Sequence, residues 1–305
     1  MLTLLWGLPD EEPLAAVACA LAEIGGSYFV LDQRRVLETE VTVEAADGLH
    51  GTLRTSDRQI TLDSVRSYYV RPYDTRRVPD VMRAGIGSSP WQHALAVEDA
   101  LLAWLEMTSA RVVNRPSTML PNGSKPYQLE DIQRFGFRVP ETLVTTNPEE
   151  AEYFWRMRCE VIYKSISGVR SRVARMTHEH KERLADICNC PTQFQAYVPG
   201  TDFRVHVIGD DLFACEIQSG ADDYRYAASQ SRPPTIFATI LPLEVRDRCV
   251  RMTSTMNLLV AGIDLRRTPE GEWYCFEVNP SPAFTYYESQ TGQPIAAAIA
   301  RLLVT

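Results

Sequence analysis

Oxygen-bearing side chains gather near the C-terminus of this chain. Gly262-Ile263-Asp264-Leu265-Arg266 is an apolar, strand-like run carrying Asp264. Trp273-Tyr274-Cys275-Phe276-Glu277-Val278-Asn279-Pro280 is a second such run, carrying Glu277 and Asn279. Thr268-Pro269-Glu270-Gly271 between them reads as a turn. Residues two apart on a strand point the same way, so Glu277 and Asn279 share a face, and antiparallel pairing of the two runs brings Asp264 to the same spot. Hard oxygen donors without His or Cys suit Mg²⁺, which keeps several waters and also binds substrate phosphates. The same spacing equally describes an ordinary hairpin with polar residues on its solvent face.

Cationic and small residues upstream add to this. Lys164 ends the apolar run Glu160-Val161-Ile162-Tyr163-Lys164 and precedes Ser165-Ile166-Ser167-Gly168-Val169-Arg170. A lysine there can reach a phosphate while loop N–H groups supply further donors. Lys125 lies in Asn122-Gly123-Ser124-Lys125-Pro126, ahead of a helix. Thr192 to Gly200 reads as a strand and turn, and Asp202-Phe203-Arg204-Val205-His206-Val207-Ile208 opens a hairpin turned at Gly209-Asp210. Singly, each has a bland reading as a solvated lysine or a simple turn.

In this order the segments resemble the ATP-grasp ligases. The resemblance runs from about Asn114 to the C-terminus. It implies that Lys125 and Lys164 hold nucleotide phosphates, with Ser165, Ser167 and Gly168 forming the phosphate loop. It implies an adenine-binding hinge at Gln195-Ala196-Tyr197-Val198 and a D-x-R-V strand at Asp202-Phe203-Arg204-Val205. It also implies a two-magnesium site at Asp264, Glu277 and Asn279. A narrower likeness joins Gly209-Asp210-Asp211-Leu212-Phe213-Ala214-Cys215-Glu216-Ile217-Gln218-Ser219 and Asp222-Asp223-Tyr224-Arg225 to the microviridin-type peptide ligases. Those enzymes form side-chain ester or amide bonds in ribosomally made precursor peptides. Tyr224 stands where that family has Trp, and the connecting segment is short.

With 305 residues, 45% hydrophobic and 23% charged, the chain is balanced and globular, enough for two or three packed subdomains. No apolar run approaches the roughly 20 residues a membrane helix needs, and Met1 to Gly7 reads as a buried strand rather than a signal peptide. Seven Cys with no export signal read as reduced cytosolic thiols. Cys188-Asn189-Cys190, near His178 and His180, lacks zinc-finger spacing and reads as small, half-buried residues by a helix end; Cys215 and Cys275 read as core. A net charge of −8 argues against bulk nucleic-acid binding. Arg66, Arg71, Arg76 and Arg77 form a local basic cluster, read as a solvated loop, with contact to an acidic peptide as the other possibility.

The expected class is α/β: a parallel N-terminal unit, a central lobe and a C-terminal antiparallel lobe, over 1–115, 116–190 and 191–305. The pattern predicts strand Leu2–Trp6, helix Pro13–Ile24, strand Ser27–Leu31, a hairpin within 38–62, strand Ser67–Val70 and helix Ser89–Met107. Strand Leu143–Thr145 and a helix start at Asn147-Pro148-Glu149-Glu150, with cap, proline and capping-box Glu, follow. Helices Leu243–Leu259 and Pro294–Val304 belong to the last lobe.

The resemblance implies two-step chemistry: a carboxylate attacks the γ-phosphate of ATP to give an acyl phosphate, and a nucleophile then displaces phosphate. Arg204 is expected on the transferring phosphoryl group, because its fork donates two hydrogen bonds to oxyanions; an exposed strand Arg pairing with Glu216 is the alternative. Asp223, Arg225 and Ser281 are the substrate candidates. His206 reads as a sheet-face or core histidine rather than a base. Three functions compete: a maturase crosslinking a precursor peptide, a ligase for free amino acids or small carboxylates, and a non-catalytic ATP-binding regulator. A cytoplasmic homodimer is expected.

Overall fold

Continuous apolar strands need cover on both faces, and the first sheet obtains it from opposite ends of the chain. The structure is a computed structural model and describes residues 2–45, 48–119, 125–165, 173–219 and 233–305, without the side chains of 125–127. β1 (Leu2–Gly7) leads through α1 (Glu12–Glu23) to β2 (Ser27–Asp32). β3 (Glu40–Glu44), β4 (His50–Arg54) and β5 (Gln59–Thr61) form a small antiparallel sheet, so the expected hairpin carries a third strand. β6 (Val65–Arg71), α2 (Pro79–Ala84), α3 (Ser89–Met107) and β7 (Arg111–Val113) follow. Strands in the order β2-β1-β6-β7 make the parallel sheet. Leu4, Trp6 and Tyr68 pack on Leu101 and Trp104 of α3. On the other face Leu5, Tyr69 and Val113 pack on Leu14, Val17 and Leu21 of α1, together with Ile295, Ile299 and Leu303 of the chain's last helix.

The middle of the chain gives α4 (Pro116–Met119), α5 (Lys125–Arg134), β8 (Thr142–Thr145), α6 (Pro148–Arg158), β9 (Val161–Ser165), β10 (Ala174–Arg175), α7 (His178–Lys181) and β11 (Thr192–Ala196). Asn147 caps α6, its side chain accepting from the Glu149 amide at 2.9 Å, with Pro148 in the first turn. The antiparallel order is β10-β9-β11-β8. Phe194, with Leu143 and Tyr163 opposite it, packs on Ala151, Leu184 and Ile187. Strand alternation turns Gln193, Gln195, Ile162 and Lys164 to the other face.

The last part holds β12 (Thr201–Ile208), β13 (Asp211–Gln218), β14 (Thr235–Thr239), α8 (Leu243–Thr255), β15 (Val260–Arg267), β16 (Trp273–Asn279), α9 (Thr285–Thr291) and α10 (Ile295–Val304). Its antiparallel order is β14-β13-β12-β15-β16. α8 stops four residues short of the expected Leu259 because Asn257 turns left-handed, φ 54°, and β15 begins at Val260. Phe203, Val205, Val207, Ile263, Leu265 and Val278 pack on Val245, Cys249 and Met252 of α8 and Ile132 of α5. The mixed α/β class is thus as expected. Among the described residues no helix is long and apolar enough to cross a membrane.

Asn114, just past β7, ties the parallel sheet to the five-stranded one. It is 2% exposed, and its amide donates to the carbonyls of Val260 at 2.7 Å and Pro280 at 2.6 Å. Its carbonyl accepts from the amides of Leu259 at 2.8 Å and Val260 at 3.2 Å. No apolar side chain can satisfy these buried backbone groups. Asn114→Ala should lower unfolding stability by about 3 kcal/mol, the scale for stranding several buried partners. Urea denaturation followed by tryptophan fluorescence measures this.

Candidate functional site

Alternation in the five-stranded sheet sets one face against α8 and leaves Asp202, Arg204, His206, Gly262, Asp264 and Arg266 on the other. Asp264 lies directly opposite Glu277, and Gly262 opposite Asn279. A register shift between Asp264 and Leu265 places an extra residue, Phe276, in β16. Cys275 and Val278 therefore both reach the core, while Glu277 and Asn279 stay on the face of Asp264. β16 is an edge strand, and Gln128 of α5 clamps it between those two residues. The Gln128 amide donates to the Val278 carbonyl at 2.5 Å, and its carbonyl accepts from the Val278 N–H at 3.0 Å.

Arg204 is buried and donates from Nη1 to Asp264 Oδ1 at 2.7 Å. Its partner on the hairpin strand is Cys215, with Glu216 opposite Phe203, so the alternative pairing of Arg204 with Glu216 does not form. Gly262 makes the room: a Cβ there would lie 2.7 Å from both the Arg204 Cζ and the Pro282 Cβ. Behind the guanidinium stand His206, whose Nε2 is 3.4 Å from Arg204 Nε, and the Tyr287 ring, 5.5 Å from Cζ. Burial, then the adjacent Arg204 charge, hold His206 well below the usual imidazole range. It stays neutral and can accept from Arg204, as a satisfied sheet-face histidine does. Burial pushes the Cys215 thiol up to about 11, so it is no nucleophile at neutral pH.

Two carboxylates and an amide converge here, and the Asn279 Oδ1 also accepts from the Ser281 amide at 2.9 Å. Among the described residues no three His, Cys, Asp or Glu side chains gather as they would for an ion held by protein alone. This sparse, all-oxygen donor set fits Mg²⁺ completed by waters and phosphate rather than Ca²⁺ or Zn²⁺.

The expected hinge, Gln195 to Val198, leaves β11 and is gripped from the five-stranded sheet. Arg266 donates to both Asp202 oxygens at 2.7 and 2.9 Å and to the Val198 carbonyl at 2.7 Å. Tyr197 lies under Arg175, 3.8 Å from Cζ to ring centroid. Asp202 thus anchors the hinge through Arg266. Gln195 and Gln193 have side-chain oxygens that are buried with no hydrogen-bond partner, on the sheet face that carries Lys164. Ala196 accepts strand pairing from Val161, and Ser165 closes β9 opposite Thr192. Ser167, Gly168, Asp223, Arg225 and the Lys125 side chain lie outside the described residues.

Several contributors were not assigned from sequence. Arg266 was legible, two residues after Asp264 on one strand; its pairing with Asp202 was not. Gln128 and Tyr287 carry no local signal. Arg71, read within a solvated loop, is buried at the end of β6 against Glu11. Cys188 and Cys190, expected half-buried, are exposed.

A model of the RimK-like ATP-grasp domain matches residues 125–303. The chain belongs to the RimK-like ATP-grasp family. It is an ATP-grasp ligase by that membership. A "Probable alpha-L-glutamate ligase" of Chromohalobacter salexigens is 26% identical over 281 residues, 87% of this chain and 90% of that one. Among solved structures, the macrocyclase MdnC of Microcystis aeruginosa, bound to its precursor peptide MdnA, superposes with a TM-score of 0.85 at 22% identity, covering 100% and 99% of the two chains. The ATP-grasp ligase PsnB, complexed with minimal precursor, Mg and ADP, gives 0.79 at 26% identity, covering 99% and 96%.

In this ATP-grasp ligase the Gly262 side-chain vacancy decides where Arg204 sits. Gly262→Ala puts a Cβ inside contact distance of Arg204 and Pro282, so it should lower unfolding stability by about 1–3 kcal/mol, the cost of overpacking a buried site, and reduce ATP-dependent turnover of the folded enzyme by roughly a hundredfold, the scale for misplacing a group by about 1 Å. Thermal unfolding and ADP release measure the two effects.

Proposed function

We propose that this ATP-grasp ligase matures a ribosomally made precursor peptide, joining a side-chain carboxylate to a hydroxyl or amine through an acyl phosphate. The observation that carries the reading is the convergence of Arg204, Asp264, Glu277 and Asn279 on one sheet face, beside a hinge gripped by Arg266. The peptide substrate is supported by the Gly209-to-Ser219 hairpin, which resembles the peptide ligases, and by the full-length likeness to PsnB. The glutamate-ligase relative favours a second reading, addition of a free amino acid to a carboxylate.

In the proposed reaction Lys164, with Lys125, Ser165, Ser167 and Gly168, holds the phosphates, and Gln195 to Val198 hold adenine, with Asp202 fixing that hinge. Asp264, Glu277 and Asn279 would bind two Mg²⁺, which when bound neutralise phosphate charge. Arg204 moves its donors from Asp264 toward the transferring phosphoryl oxygens. His206 and Tyr287 keep the guanidinium against the sheet as it does so. Asp223, Arg225 and Ser281 border the peptide. Free thiols throughout fit a cytoplasmic enzyme, and a homodimer is the assembly we expect.

Intact-mass spectrometry of the short peptide encoded beside the gene, incubated with enzyme, ATP and Mg²⁺, tests the reading. Loss of one water per bond with ADP release is expected. An unchanged peptide, with ADP formed only when free amino acids are supplied, would establish the second reading instead. Glu277→Gln should cut product formation at least about a hundredfold, the scale of one major transition-state charge contact. Turnover near that of the parent enzyme would remove Glu277 from the mechanism.

A further inference from the structure

Two consecutive glutamates at the start of α1 are linked to the segment that follows β16, Glu11 through Arg71 and Glu12 directly. Glu11 accepts from Arg71 Nε at 2.9 and 2.7 Å and from Nη2 at 2.6 Å. The remaining Arg71 nitrogen, Nη1, donates to the Pro282 carbonyl at 3.1 Å. The Arg71 side chain is 9% exposed, so its charge depends on this partner. Glu12 accepts from the Thr285 hydroxyl at 2.9 Å. The chain folds tightly behind the pair: a Cβ at Gly7, φ 159°, would meet the Arg71 carbonyl at 2.6 Å.

The far end of this linkage is the transfer site. Pro282 and the Arg204 guanidinium flank the same small space above Gly262. One residue earlier, the Ser281 amide holds the Asn279 side chain. Displacing Pro282 therefore loosens one wall of the Arg204 slot and the turn that orients Asn279. β1 and β6 deliver Gly7 and Arg71 at their carboxyl ends, where a parallel sheet presents its crevice.

We propose that the Glu11–Arg71 pair is a positioning element of the transfer site: through the Pro282 carbonyl it holds residues 280–284 against the N-terminal sheet and so keeps Arg204 and Asn279 in register. The role of Arg204 in this statement rests on the proposed ligase mechanism; the tether itself does not. Neither Glu11 nor Arg71 touches the reacting groups in this scheme, so nucleotide affinity stays constant while the chemical step suffers.

The test uses the full-length protein and three variants, Arg71→Ala, Arg71→Lys and Glu11→Gln, the last two guarding against a misfolded alanine variant. Hydrogen exchange of peptides spanning 279–287 needs no substrate. Exchange there should rise at least about tenfold in Arg71→Ala, less in Arg71→Lys and Glu11→Gln, and not at all in β12. In the assay that supports turnover, kcat should fall by up to about a hundredfold in Arg71→Ala, with partial recovery in Arg71→Lys and binding of Mg²⁺·AMP-PNP within about twofold of the parent. Unchanged exchange in all three variants overturns the tether. Raised exchange with parental kcat, or kcat and nucleotide affinity falling together, overturns its action on the transfer site. A parent enzyme that forms no ADP with any substrate refutes the ligase mechanism, and with it the action on Arg204, while the exchange result still decides the tether.

Discussion

A buried guanidinium next to a carboxylate organises this molecule. Arg204 and Asp264 meet at 2.7 Å on a sheet face, with side-chain exposures of 7% and 27%. At that depth the Arg204 guanidinium needs a partner of opposite charge, and the neighbouring His206 is kept neutral. The pair demands a glycine on the neighbouring strand and an apolar cover from α9. It sits on a sheet whose opposite face packs a largely apolar core on α8, so that the strands cannot slip by one residue. A shift of that kind would bury Arg204, Asp264 and Glu277 against α8. The charges therefore help specify register.

Most strands and long helices were legible because their apolar periods are clean. Ser89–Met107 appears with the expected bounds, and the two hairpins turn where Gly209-Asp210 and Pro269 to Gly271 lie. The shared face of Glu277 and Asn279 followed from alternation alone. The bulge at Phe276 did not, since Cys275 and Val278 are three apart and only the core contact of both reveals the extra residue. Long-range partners were likewise invisible. Nothing local to Asp202 announces Arg266, nothing near Arg71 announces Glu11, and Gln128 looks like any helix glutamine.

Side chains that imitate backbone tie distant parts of the chain together. Asn114 and Gln128 each satisfy N–H and C=O groups of strands from another part of the chain, and Arg266 does so for the hinge. Such joints add fixed direction to the apolar contacts beside them, Val113 with Val260 and Ile132 with the core of the five-stranded sheet.

The placement of α10 has a consequence for how the chain is made. β1, α1 and β6 emerge early in synthesis, yet Leu5, Leu14, Val17 and Tyr69 find Ile295, Ile299 and Leu303 only when the last helix arrives. Throughout translation of the intervening chain that face is covered by α1 alone, and the remainder is an apolar surface of the kind chaperones recognise. The first sheet therefore completes its core with a helix made long after its own strands.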